Sequence, residues 1–274
     1  MDIRELEELL PVAEEAARLG GRILLDWRSR FSVQEKGRND FLTDADLASQ
    51  EAVQSFLAAR CPHHGFLGEE SRTGDVFERP RSRQPLWVVD PLDGTTNYVH
   101  SIPVFAVSIG LVVANEPVLG VMYDPSRDEL FRGALGVGAW LGERRLRTSA
   151  TSRLADALLS TGFPPDLTGQ EHTLEIWRHL SLHARSLRRT GCTSLNLAYV
   201  AAGRHDGFWT HQAWPWDAVA GVALIRSAGG RVTNVDGTDY DLWTLDLAAS
   251  NGPLHDALVG GLREGQGSAH GSRD

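Results

Sequence analysis

The chain has 274 residues, 42% hydrophobic and 23% charged. That length buries a sizeable core in one large or two modest domains, and the balance excludes a peptide hormone, a disulfide mini-scaffold and a disordered protein. Twenty-seven Lys and Arg against 36 Asp and Glu give a formal charge of −9 at pH 7, which argues against nucleic acid as primary ligand and leaves room only for a small basic pocket. Two cysteines, Cys61 and Cys192, cannot make a disulfide framework and suit a reducing, cytoplasmic compartment. Met1 to Leu10 alternates acids with leucines and lacks the pattern of a signal peptide. The longest apolar stretches, such as Val104 to Val113, are about half the roughly 20 residues that span a bilayer, so no membrane association is expected.

In chain order, Leu10, Ala13, Ala17, Gly20, Leu24 and Trp27 recur at helical steps and predict a helix near 10–29, with Pro11 in its first turn. Thr43-Asp44-Ala45-Asp46 resembles a capping box and starts a helix from Leu47 to Arg60. Leu86 to Val89 reads as a buried strand ended by Asp90-Pro91. Val104–Ile109, Val118–Tyr123 and Glu129–Ala134 read as an antiparallel meander. Beyond residue 146 strands at Ala157–Ser160 and Asp206–Trp209 alternate with helices near 171–183, from Ser194 to Ala202 and from Asp217 to Ala228, the last closed by Gly229-Gly230. The expected organisation is an N-terminal α+β subdomain over 1–145 carrying an antiparallel sheet and most acidic site residues, a C-terminal α/β subdomain over 146–264, and a Gly/Ser/His-rich disordered tail over 265–274.

The chemistry concentrates in Trp87-Val-Val-Asp90-Pro-Leu-Asp93-Gly-Thr95-Thr-Asn97. A strand delivers Asp90, the Pro91 turn returns Asp93 beside it, and Gly94-Thr95-Thr96 offer backbone N–H groups at a helix start. Carboxylates this close repel unless cations neutralise them, whereas free amides favour an anion. Asp-Pro-x-Asp-Gly alone is also ordinary turn chemistry. Gly68-Glu69-Glu70 at another strand end, Asp217 at a helix start and Asp46 in its cap are each ambiguous separately.

Together, Lys36, Thr43-x-x-Asp46, Gly68-Glu69-Glu70, Asp90-Pro-Leu-Asp93-Gly-Thr95-Thr-Asn97 and Trp216-Asp217-x-x-x-Gly221 resemble the inositol monophosphatase family of magnesium-dependent, lithium-sensitive phosphatases. The resemblance covers roughly residues 10 to 262; Thr161-Gly162-Phe163-Pro164 and Asp206-Gly-Phe-Trp209 also resemble its inositol-phosphatase branch. It implies the layered α/β/α/β/α sandwich shared with fructose-1,6-bisphosphatase, a homodimer, and two or three Mg²⁺ per site, with Mn²⁺ able to substitute and Li⁺ inhibitory. It also implies that Glu69, Asp90 and the Leu92 carbonyl hold the first ion, which binds the attacking water, and that Asp90, Asp93 and Asp217 hold a second at the leaving oxygen, with Glu69 helping a third. Thr95, hydrogen-bonded to Asp46, would orient that water, while Gly94, Thr95 and Thr96 would present amides to the phosphate and Lys36 would face the entrance.

The alcohol pocket departs from the family. The glutamate that many members carry seven residues before the Trp-Asp aspartate is Thr210 here, and Gly191-Cys192-Thr193-Ser194 replaces a segment that is often Gly-Ser/Thr-Ala-Ala. Threonine lacks the charge that makes a carboxylate–hydroxyl bond strong, so His211, Gln212 or a partner chain would have to compensate. The leading substrate is myo-inositol 1-phosphate, with L-histidinol phosphate as the rival and a 3′-phosphonucleotide or fructose 1,6-bisphosphate behind them. A regulatory binding protein of the same fold is the alternative of a different class. His63-His64 reads as a surface turn, Trp209, Trp214 and Trp216 as core or interface residues, and the Arg185, Arg188, Arg189 group as a solvated face open to a second phosphate or a partner subunit.

Overall fold

The computed structural model describes residues 1–37, 40–71, 84–164 and 166–268. The side chain of Lys36 lies outside the described residues, as do tail residues 269–274. Helix α1 (Ile3–Trp27) starts at Ile3, not near residue 10. The cause is a reciprocal cap: the Glu5 N–H donates to Asp2 Oδ1 at 2.9 Å, and the Asp2 N–H donates back to Glu5 Oε2 at 2.6 Å. Pro11 therefore lies inside the helix, not in its first turn. It is tolerated because Pro11 and Glu7, whose carbonyl it leaves without a donor, are both exposed to water.

After α1 come β1 (Val33–Gly37), β2 (Asp40–Thr43), α2 (Asp44–Arg60), β3 (Gly65–Gly68), β4 (Leu86–Asp93) and α3 (Thr95–Val99). The meander is longer than predicted: β5 (Ala106–Val113), β6 (Glu116–Asp124), β7 (Glu129–Ala134), β8 (Gly138–Leu141) and β9 (Arg144–Arg145). The remainder is β10 (Leu158–Thr161), α4 (Glu171–His183), β11 (Ser186–Arg188), α5 (Thr193–Ala201), β12 (Gly207–Thr210), α6 (Pro215–Ser227), β13 (Arg231–Thr233), β14 (Leu247–Ser250) and α7 (His255–Ser268). Helix α7 carries the chain past Gly265, where a disordered tail was expected, because Leu258 and Leu262 are fully buried on its inner face.

Besides the antiparallel β1-β2 pair, two larger sheets organise these elements. The first runs β3-β4-β5-β6-β7-β8-β9, with β3 parallel to β4 and every other pair antiparallel. The second runs β11-β10-β12-β14-β13, parallel across β11-β10-β12 and antiparallel beyond. Helices α1 and α2 cover the outer face of the first sheet, α5 and α6 lie between the sheets, and α4 and α7 back the second. The layers are thus α/β/α/β/α, the architecture the resemblance implies.

Close approach of α6 to the first sheet demands glycine. A Cβ on Gly120 would sit 2.0 Å from the Ala220 carbonyl oxygen, so any side chain there would push α6 away. This contact sets where the N-terminus of α6 reaches the first sheet. Ser108 of β5 donates to the Trp216 carbonyl at 3.2 Å and fixes the same junction.

Candidate active site

Strand β4 carries the centre of the site. Its register against β5 shifts between Asp90 and Asp93, because the proline cannot donate to the ladder and the chain bulges. The bulge turns both carboxylates toward one cleft. Gly94 then takes φ +96° as N-cap of α3, where a Cβ would also lie 2.9 Å from the Val104 carbonyl oxygen. Only glycine makes that turn cheaply, and it leaves the first N–H groups of α3 without helical partners.

Glu69, Asp90, Asp93 and Asp217 line one cleft of about 1090 Å³ with Leu92, Gly94, Thr95 and Thr96. Asp90 is held well above the ordinary carboxylate range, first by burial and then by the charges of Glu69, Asp93 and Asp217; the Leu92 N–H, 2.9 Å from Oδ1, opposes this. Asp217 is raised well above that range for the same reasons, burial first and then Asp93 and Glu69, although its side chain keeps some contact with the cleft. Burial raises Asp93 too, against the Ser194 N–H at 2.5 Å and the Cys192 thiol at 3.3 Å, both on Oδ2. The Cys192 thiol is itself pushed well up by burial and by Asp93, so it is a donor and not a nucleophile.

Asp217 is the third residue of α6, which opens with Pro215, and its Oδ2 accepts the Trp214 N–H at 2.9 Å. The cap and the cleft therefore use the same carboxylate. Asp46 caps α2 and is buried behind the cleft, which it reaches through Thr95. Its Oδ2 accepts from the Thr43 N–H at 2.8 Å and the Thr43 hydroxyl at 2.5 Å, and its Oδ1 lies 3.4 Å from Thr95 Oγ1. The Thr95 hydroxyl also reaches the Leu92 carbonyl at 3.0 Å.

Among the described residues, no three His, Cys, Asp or Glu side chains form a ready cage for a metal ion. The donor set nonetheless fits a hard divalent cation. Mg²⁺ keeps several waters and takes one or two carboxylates together with substrate phosphate. Repulsion among four carboxylates is the electrostatic demand that such an ion meets.

Gly191, Cys192 and Thr193 line the cleft, but Thr210 does not. Thr210 is 1% exposed, and its hydroxyl lies 3.2 Å from the Gln212 carbonyl and 3.4 Å from that of Gly162. His211 is turned away as well, its ring 5.0 Å from His172 and its Nε2 buried without a partner; burial lowers its pKa to about 4. Gln212 does reach the cleft. Trp209 is fully buried core, while Trp214 and Trp216 stack at 5.4 Å on the cleft wall. His64 is partly buried against Trp87.

Sequence reasoning missed the scaffold behind the carboxylates. Ser49 donates to the Pro91 carbonyl at 3.1 Å, and Gln50 accepts the Glu70 N–H at 2.9 Å. With Asp46 they occupy one face of α2, so a single helix fixes Thr95, the β4 bulge and the Glu69-Glu70 turn. Spacing of three and four from Asp46 was the available signal.

The inositol monophosphatase family profile matches residues 5–266. The chain is 38% identical to inositol-1-monophosphatase of Synechocystis sp. over 93% of this chain and 88% of that protein. It is 37% identical to Nus factor SuhB of Pseudomonas aeruginosa, over 93% and 95% respectively. The crystal structure of extragenic suppressor protein suhB from Bartonella henselae superposes with a TM-score of 0.86 at 38% identity, over 94% of this chain and 99% of that one. Members of this family are generally metal-dependent. No helix among the described residues is long and apolar enough to cross a membrane. The chain belongs to the inositol monophosphatase family and is a phosphoric monoester hydrolase.

Proposed function

We propose that the protein is a Mg²⁺-dependent phosphomonoesterase acting on a small phosphorylated alcohol, with myo-inositol 1-phosphate as leading substrate. One observation carries the reading: Asp90 and Asp93 are buried beside Asp217 and Glu69 in an open cleft, with carboxylates that call for a cation. Glu69, Asp90 and the Leu92 carbonyl would hold one ion, and Asp90, Asp93 and Asp217 a second, with Glu69 helping a third. When bound, such ions lower the pKa of water and offset charge on the departing oxygen. Mn²⁺ would substitute, and Li⁺ would inhibit.

The chain's own groups do the rest. The single Thr95 hydroxyl proton cannot serve both Asp46 and the Leu92 carbonyl. Once that carbonyl is engaged elsewhere, the proton turns to Asp46, and Thr95 Oγ1 is free to accept a proton from water and so orient it. Gly94, Thr95 and Thr96 would present N–H groups to the phosphate. Water adds to phosphorus, the ester P–O bond breaks, and the alcohol leaves with a proton, giving alcohol and inorganic phosphate with no phosphoenzyme. The working state would be a cytoplasmic homodimer.

Phosphate release from myo-inositol 1-phosphate and L-histidinol phosphate, with Asp90→Asn as control, tests this. Preference for the inositol ester supports the reading; preference for histidinol phosphate moves the substrate, and loss of all Mg²⁺-dependent release refutes it. The similarity to a protein named Nus factor SuhB favours an added binding role, which Asp90→Asn should leave intact.

A further inference from the structure

The three arginines of the 185–189 segment have separate fates. Arg185 pairs with Asp156 at 3.3 Å, and Arg188 is tied to Ser186 and to the Leu187 carbonyl at 2.6 and 3.0 Å. Arg189 alone of the three lines the active-site cleft, and no carboxylate among the described residues pairs with it. Its guanidinium lies over the Phe163 ring, 5.1 Å from the centroid. Phe163 is in turn fixed edge-to-face on Trp177 at 5.6 Å. A guanidinium held over an aromatic ring keeps N–H donors for an anion and has less freedom left to lose on binding it.

Among the described residues, the opposite kind of group is missing from the cleft outside the acidic centre. Every acidic residue lining it, Glu69, Glu70, Asp90, Asp93 and Asp217, belongs to the acidic centre. Thr210, standing where a hydroxyl-binding carboxylate was expected, is buried and already bonded. Arg189 and Gln212 line the cleft away from the carboxylates, which suits a group that accepts hydrogen bonds and carries negative charge. Arg189 is only three residues from Cys192, whose thiol touches Asp93. The two Cα atoms are therefore no more than about 11 Å apart, a span that one small molecule bridges.

We infer that the site also accepts small alcohol phosphates bearing a second anionic group, a carboxylate or another phosphate, and favours them over size-matched neutral esters, with Arg189 as the residue that selects the anion. This rests on the phosphomonoesterase reading above. The same guanidinium opposes an alcohol bearing an amine or imidazolium.

The test compares kcat/KM for 2-phosphoglycerate and glycerol 2-phosphate, which differ by a carboxylate in place of a hydroxymethyl group. Wild type should favour the carboxylate by about tenfold or more, the size of one charge-assisted hydrogen bond. Arg189→Met, which keeps an apolar stem over Phe163, should erase that preference by lowering kcat/KM for 2-phosphoglycerate about tenfold more than for glycerol 2-phosphate; Arg189→Lys should restore part of it. Equal values for the two esters in wild type, or an equal loss on both in Arg189→Met, would overturn the inference. Absence of turnover on both, with myo-inositol 1-phosphate still hydrolysed, overturns it and spares the phosphatase reading; failure on every phosphomonoester removes both.

Discussion

Replacing Asp90 by Asn should separate stability from function in opposite directions. Asp90 is 2% exposed and repelled by Glu69, Asp93 and Asp217, so its carboxyl titrates well above its value in the unfolded chain. An acid raised in this way contributes stability that is complete below the unfolded pKa and is lost as pH rises through the folded one. At neutral pH and without cations, the wild type has therefore forfeited about 1.4 kcal/mol for each unit of that rise that lies below the working pH. Asparagine keeps the shape and can still accept the Leu92 N–H, but it never ionises. Relief on the order of 1–2 kcal/mol is expected, as for other substitutions at sites strained for function. In a chain this long that raises Tm by roughly 2–6 °C. Calorimetry in chelator at neutral pH measures it, and repetition with saturating Mg²⁺ should stabilise wild type but not Asp90→Asn. A variant less stable than wild type in chelator, or one that keeps the full Mg²⁺ response, would refute the reasoning.

Thr95→Ala should lower kcat on the order of a hundredfold or more with KM little changed, and Thr95→Ser should recover most of it; unaltered kcat in the alanine variant would remove Thr95 from the chemistry. His255 bridges Thr233 and Ser250 at 2.9 Å each, and burial lowers its pKa from 6.5 to about 4, so its contribution is present above the unfolded value and lost as pH falls toward 4. Urea unfolding across that window should show a flatter acid limb in His255→Gln, by up to about 3 kcal/mol; comparing wild type and variant cancels the opposite trend from Asp90 and Asp217, and an unchanged limb would contradict the assignment. Gly120→Ala should cost about 1–3 kcal/mol, because its methyl group meets the rigid Ala220 carbonyl. Denaturant midpoints check this, and a neutral result would show that α6 can retreat.

The core of the site was legible because it is local in sequence. Asp90, Asp93 and Gly94 owe their geometry to a proline bulge and one left-handed glycine, both written in consecutive letters. Asp46 and Asp217 were legible as caps; the structure has Asp217 serve cap and cleft together, while Asp46 reaches the cleft only through Thr95. Thr210 was not legible, since a threonine at a functional position looks the same whether it faces ligand or bonds its own backbone. Arg189 could not be told from Arg185 and Arg188, because their separation depends on Asp156 and Phe163, distant in the chain. The strands β8, β9, β11 and β13 are too short for a period of two to show, and their pairing comes from neighbours already in place. The start of α1 was misplaced for the reverse reason: the Asp2–Glu5 cap was present, but the alternation of acids with leucines hid it.

The central claim is that the carboxylate cluster turns over phosphate esters only with a divalent cation in place. Its most direct test is phosphate release from myo-inositol 1-phosphate across a Mg²⁺ titration of chelator-treated protein, with Mg²⁺ binding followed by calorimetry in wild type and Asp217→Asn. Release should be absent without Mg²⁺, rise in step with binding, and require far more Mg²⁺ in the variant. Phosphate release that persists in chelator, or an Asp217→Asn protein with wild-type Mg²⁺ dependence, would contradict it.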